Sequence, residues 1–268
     1  VSSTSRPSFK TLLEFAHSLA DISGEAIQPY FRKPIAVTNK APRGTFDPVT
    51  AADEAAERAI ARAVGKHCPD HGLIGEEFGI VREDARLRWV VDPIDGTRAF
   101  IMGSPLWGTL IGLLDGENPL LGLMNQPFTG ERFWSGPNEA FMRTGEGRAR
   151  RLKTRDCPRV ADAIVSTTHP DLFAKGEEWN AFTRLKSKAR MTRYGGDCYA
   201  YCLLAAGFVD IVLESGLKPF DVVALIPIIE RAGGRITTWE GEPAASGGRI
   251  VATGDPRLHK TVLSLLAR

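Results

Sequence analysis

The sequence predicts a mixed protein, α+β over its first half and α/β over its second. Three observations lead there. Apolar residues recur at helical spacing in two segments near the start, and short apolar or β-branched runs bounded by Gly and Pro follow. Strands then alternate with helices to the end. At 268 residues, with 43% apolar and 25% charged side chains, the chain can bury a sizeable core, as one large domain or two closely packed ones.

The first helix is expected over about 8–31, because Phe9, Leu12, Leu13, Phe15, Ala16, Leu19 and Ala20 share a face and Pro34 stands just beyond the end. "NKAPRGTFDPV" reads as a loop of turn formers. Thr50 opens a second helix, 51 to about 67, with Asp53 and Glu54 in the first turn, where the helix dipole favours anions. Strands are expected at 73–74, 89–91, 107–114, 120–125 and near 132–135. A Gly/Arg-rich stretch around 143–151 divides the chain into an α+β domain, 1–148, and an α/β domain, 149–268. Beyond it, strands at 163–166, 190–194, 209–214, 235–238 and 250–252 alternate with helices at 179–186, 197–206, 219–232 and 256–266.

A net charge of +2 speaks against a nucleic-acid partner, and the one basic concentration, "RTGEGRARRLKTR", reads as a solvated loop. No apolar stretch approaches membrane-spanning length, and "VSSTSRPSFKTLLEF" lacks the apolar core of a signal peptide. No membrane partner is therefore expected. Cys68, Cys157, Cys198 and Cys202 form no CxxC pair, which suits reduced thiols in a cytoplasmic protein. "HCPDH" at 67–71 imitates a metal site but offers too few His or Cys ligands for zinc, and reads as a helix-ending loop.

Four acidic elements stand where a strand or helix begins or ends, beside Gly or Pro: "VTAAD" (Asp53), "GEEFG" (Glu76, Glu77), "DPIDGT" (Asp92, Asp95) and "KPFD" (Asp221). Crowded carboxylates repel unless a cation neutralises them. Oxygen-only ligands suit Mg²⁺, which keeps positions for water and phosphate. In "WVVDPIDGT" a strand is expected to position Asp92 at its end, Pro93 to set the exit, and Asp95 to swing back to the same point. Ile94 offers only its carbonyl, and Gly96 and Thr97 begin a helix whose free N–H groups form an anion site. Taken alone, Asp92 and Asp95 would also serve as turn residues and a helix cap. With Glu76, Glu77 and Asp221 placed alike, metal binding is the better reading.

"GEEFG", "WVVDPIDGT" and "PFDVVALIPIIERAGG" resemble, in order and across nearly the whole chain, the three signatures of the inositol monophosphatase family of Mg²⁺-dependent, lithium-sensitive phosphatases. The resemblance implies a layered αβαβα sandwich, usually a homodimer, that hydrolyses a small-molecule phosphate monoester with two to three Mg²⁺ per site. It implies that Glu76, Asp92 and the Ile94 carbonyl hold one ion, that Asp92, Asp95 and Asp221 hold a second, and that a weaker third leans on Glu76. Thr97 with Asp53 would orient and deprotonate the attacking water, the Gly96 and Thr97 amides would hold phosphate, and Glu77 would position water. Lys40 fits the lysine of the family's mobile loop, at a longer spacing than usual. Ala99 stands where the family more often has asparagine.

Substrate choice must come from residues that touch the leaving group. Alongside Asp95 these are Glu214, in "VLESG", and Asp197, in "YGGDCYAYCLLAAG". Glu214 is expected in inositol-directed members, whereas such members tend to carry a small apolar residue where Asp197 stands. A second carboxylate suits a cationic leaving group through charge-assisted bonds, and histidinol phosphate carries an amine and an imidazole. "YGGDCYAY" and "GLKPFD" resemble the histidinol-phosphate phosphatase branch. L-Histidinol phosphate is thus the expected substrate, with inositol 1-phosphate or a related sugar or polyol monophosphate as the alternative. Asp197 also fits a helix N-cap, and Glu214 a plain strand-end acid.

Two other classes fit worse. A nucleotide-binding dehydrogenase needs GxGxxG between a strand and a helix, and "TGEGRA" is a fragment with no convincing strand before it. A non-catalytic scaffold or regulator would have no reason to keep six acids in these positions.

Overall fold

The computed structural model describes residues 7–40 and 48–267, so most of the turn-rich loop after Lys40 lies outside the described residues. Two helices open the chain, α1 (Phe9–Ile27) and α2 (Ala51–His67), with the paired strands β1 (Val37–Asn39) and β2 (Pro48–Thr50) between them. Ser8 caps α1 by accepting from Thr11 N. The helix ends at Ile27, short of the expected 31, because the chain turns through 28–32 and places Arg32 at φ 58°.

An eight-stranded sheet follows. Its strands are β3 (Gly72–Gly75), β4 (Gly79–Val81), β5 (Leu87–Asp95), β6 (Gly108–Asp115), β7 (Asn118–Gln126), β8 (Glu131–Ser135), β9 (Ala140–Thr144) and β10 (Arg150–Arg151). The short helix α3 (Thr97–Ile101) joins β5 to β6. The spatial order is 10-9-8-7-6-5-3-4, antiparallel throughout except for the parallel pair β3–β5. "TGEGRA" does follow a strand, contrary to expectation, but that strand is β9 and it returns antiparallel into β10. With no helix after it, the segment is a hairpin and cannot serve as a dinucleotide turn.

The remaining elements are β11 (Ile164–Thr167), α4 (Glu177–Lys188), β12 (Met191–Tyr194), α5 (Asp197–Ala205), β13 (Ile211–Leu217), α6 (Pro219–Val222), α7 (Leu225–Arg231), β14 (Arg235–Thr238), β15 (Gly248–Thr253) and α8 (Pro256–Leu266). The strands form a five-stranded sheet of order 12-11-13-15-14, with β11 parallel to both its neighbours. The helix expected over 219–232 is two helices, α6 and α7, broken at 223–224.

Side-chain alternation assigns the layers. Trp89 and Val91 of β5 and Ile111 and Leu113 of β6 pack against Leu12, Leu19, Ile60 and Val64 of α1 and α2. Leu110 and Met124 face the other way, onto Leu204 of α5 and Ile228 of α7, which also cover Val212 and Ile250 of the second sheet. Ile211, Leu213 and Val251 point outward to Phe182, Leu185, Leu258 and Val262 of α4 and α8. The result is the expected αβαβα sandwich, built on period-2 strands and one-sided helices. Among the described residues no helix is long and apolar enough to cross a membrane.

One close approach sets up the site. Gly112 and Gly122 are paired across β6 and β7, and a Cβ on Gly122 would lie 1.8 Å from the Ala224 carbonyl oxygen. The absent side chains let the α6–α7 junction settle onto the first sheet, which brings Asp221 over the end of β5.

Candidate active site

β5 runs on past Asp92, correcting the expectation that it ends there. It pairs with β6 as far as Asp92↔Leu110, loses register, and resumes at Asp95↔Gly108. A bulged stretch of this kind bends a strand and re-aims its side chains, so one strand turns two carboxylates toward one place. Asp92 Oδ1 accepts from its own loop at Ile94 N, 3.0 Å. Gly96 then takes φ 90°, open to glycine and strained for other residues, and starts α3. The Thr97 hydroxyl donates to the Ile94 carbonyl at 3.0 Å.

Asp221 joins from the second half of the chain. Its Oδ2 accepts from Lys218 N at 2.6 Å at the start of α6. Asp92, Asp95 and Asp221 each bring a carboxylate oxygen within 4.8 Å of the others. Glu76 stands beside this trio, following β3, and its Oε1 accepts from Lys40 Nζ at 3.1 Å. Lys40 also donates to both Glu77 oxygens, at 2.9 and 3.1 Å. Burial opposes the Lys40 charge, yet these bonds to Glu77 and Glu76 hold its pKa above the ordinary lysine value.

Burial raises the acids, and their mutual charges add to it. Asp92 is pushed well up by burial and by Glu76, Asp95 and Asp221. Asp95 is pushed up by burial and by Asp197 and Asp221, although the Cys198 N–H donates to its Oδ2. Asp221 rises to about 7 and Glu77 to about 7, burial being the main cause in each. Such a set of oxygen donors is stable as anions only around a cation, and it matches a hard divalent ion.

Asp53 is fully buried in the first turn of α2. Its Oδ2 accepts from Thr50 N at 2.8 Å and from the Thr50 hydroxyl at 2.6 Å, closing a capping box. Its Oδ1 has no partner among the described residues. Burial lifts its pKa to about 6. The Thr97 hydroxyl is engaged by Ile94, and the remaining Asp53 oxygen has no partner among the described residues.

A cavity of about 560 Å³ opens beside the acids, lined by Glu76, Asp95, Gly96, Thr97 and Asp221 at one end. Asp197 and Glu214 line the same cavity. Asp197 is not the helix cap: Gly196 holds that position, and Asp197 begins α5 at φ 42°, a conformation few non-glycine residues adopt. Burial raises its pKa to about 6, against the Thr168 hydroxyl and the Arg98 charge. Glu214 is buried, with Oε1 accepting from Thr168 N at 2.7 Å and Oε2 unpartnered among the described residues. Its pKa rises to about 8 through burial.

Thr168, which bears on both recognition acids, and Arg98, whose charge acts on Asp197, carry no motif that sequence reasoning could have used. A third missed residue, Glu57, did leave a signal: an acid on the buried face of a helix, one turn beyond Asp53.

Residues 9–268 match a family model described as the inositol monophosphatase family. The chain is 44% identical over 262 residues to a chloroplastic bifunctional phosphatase, IMPL2, of Arabidopsis thaliana, covering 93% of this chain and 73% of that protein. It is 35% identical over 220 residues to a histidinol-phosphatase of Mycobacterium tuberculosis, covering 82% and 84%. Among solved structures, an inositol monophosphatase from Zymomonas mobilis aligns at a TM-score of 0.86 and 39% identity, over 98% of this chain and 100% of that one.

Proposed function

The chain belongs to the inositol monophosphatase family, a family of metal-dependent phosphatases, and from that premise we propose that it hydrolyses L-histidinol phosphate to L-histidinol and phosphate, using two to three Mg²⁺. The carrying observation is the pair of carboxylates, Asp197 and Glu214, in the wall of the cavity that holds the acid cluster. The Asp197 charge adds to the cost of ionising Glu214. A leaving group bearing an ammonium and an imidazole would relieve that cost through charge-assisted bonds, whereas a neutral polyol would gain less. The named histidinol-phosphatase relative supports the same reading.

Asp92, Asp95 and Asp221, with Glu76 and the Ile94 carbonyl, would hold the ions. Bound Mg²⁺ supplies charge neutralisation of the phosphate and a lowered water pKa. The Gly96 and Thr97 amides would hold the phosphoryl oxygens. Asp53, with one oxygen unpartnered among the described residues and a pKa raised to about 6, would serve as base for the attacking water, which the Thr97 hydroxyl would orient. The water oxygen would bond to phosphorus as Asp53 takes its proton, the ester P–O bond would break, and the departing alkoxide would take a proton from solvent water to give the alcohol. Glu77 would place water, and Lys40, which now bridges Glu76 and Glu77, would be displaced or shared as ions enter.

Inositol 1-phosphate is the second reading, favoured by the unpartnered Glu214 Oε2, which would accept from a ring hydroxyl. Comparing kcat/KM on the two esters with saturating Mg²⁺ decides between them. A tenfold or greater preference for inositol 1-phosphate would overturn the histidinol reading, and no Mg²⁺-dependent release of phosphate from either would overturn both.

A further inference from the structure

Glu57 lies outside the cavity lining and is 1% exposed. It sits on α2 one turn after Asp53, on the same buried face. Its Oε2 accepts from Glu77 N at 2.8 Å and its Oε1 from Phe78 N at 2.9 Å. The two backbone donors that follow Glu76 are therefore both held by one carboxylate. On the other side of Glu76, a Cβ placed on Gly75 would lie 1.9 Å from Glu57 Oε1. Only glycine lets the strand end pass over that oxygen. Glu57 thus grips the backbone immediately before and after Glu76, by exclusion at Gly75 and by hydrogen bonds at Glu77 and Phe78.

Charge-assisted bonds to backbone N–H groups are short and strong, and they fix the Cα of Glu76 relative to α2. Because α2 also carries Asp53, the helix sets two acids of the site in one frame. Resting on the metal-site reading above, we propose that Glu57 is a positioning residue for Mg²⁺: it holds Glu76 at the height of Asp92 without touching ion or substrate. Outer residues that orient a metal ligand contribute about 10- to 100-fold in metal affinity.

Glu57→Gln keeps the shape but sets an NH₂ group against one of the two N–H donors, so one bond is replaced by a clash. The test is Mg²⁺ titration by calorimetry of the wild-type chain, Glu57→Gln and Gly75→Ala, with folding checked by circular dichroism. Gly75→Ala drives a methyl into the same carboxylate from the other side. Asp255→Asn serves as a control, since Asp255 is a buried acid that accepts from Cys157 N far from the cluster. About a tenfold weaker Mg²⁺ Kd in both Glu57→Gln and Gly75→Ala, with the control lowered in melting temperature but unchanged in Kd, supports the assignment. KM for ester at saturating Mg²⁺ should stay within about twofold in Glu57→Gln. Wild-type Kd in folded Glu57→Gln would overturn the positioning role while leaving the metal site intact. Failure of the wild-type chain to bind Mg²⁺ would overturn the metal site itself, and this role with it.

Discussion

Replacing Asp197 by asparagine isolates the charge that the histidinol reading needs. Asparagine is the right substitute because residue 197 stands at φ 42°, where Asn is tolerated and alanine adds backbone strain. The helix loses no cap, since Gly196 occupies that position. With a pKa of about 6 the side chain is ionised at an assay pH above neutrality. A hydrogen bond to a charged group contributes about 1.5–3 kcal/mol. Arg98 and the Thr168 hydroxyl already bear on this carboxylate, so the lower end applies, about 1.5–2 kcal/mol, or about a ten- to thirtyfold loss in kcat/KM on histidinol phosphate. The assay is phosphate release at saturating Mg²⁺ on histidinol phosphate and inositol 1-phosphate in parallel. The neutral ester should change less than threefold, on the order of a few tenths of a kcal/mol. Equal losses on both esters, or none on the cationic one, would refute the reasoning.

Two predictions concern protons. Mg²⁺ binding near pH 6.5 should release protons, because burial holds Asp221 at about 7 and Asp92 well above its usual range until a cation arrives. Calorimetry in buffers of different ionisation enthalpy measures the release, and affinity should tighten as pH rises through about 7; a pH-independent Kd would contradict it. His259 lies between the hydroxyls of Thr237 and Thr253, at 2.9 and 3.0 Å, and burial with the Arg235 charge lowers its pKa to about 4. The unfolded imidazole takes its proton near 6.5, so its contribution to stability is whole above that pH and is lost as pH falls through about 4. The urea midpoint should decline across this window, and His259→Gln should flatten part of the slope.

Much of this molecule was legible as a string. Helical spacing and the cap at Thr50 place α2 at its true bounds, and Pro256 with the apolar spacing after it does the same for α8, because caps and periodicity are local. The clustered acids could be suspected in advance because they stand beside turn formers: Glu76 after Gly75, Asp92 before Pro93, Asp95 before Gly96, and Asp221 two residues after Pro219. The edge strands β1, β4 and β10 escaped notice: they run only two or three residues, all exposed, too short for an alternation to show. Other features exist only through contacts between distant segments. The bulge that turns Asp92 and Asp95 together, the glycine pair that admits the α6–α7 junction, and the grip of Glu57 on the turn around Glu76 depend on which backbone lies against which. Residue types and their order settled what chemistry the chain carries. Chain packing alone decided the distances between the carboxylates, because charge repulsion and steric clearance act through space and leave no periodic trace in sequence.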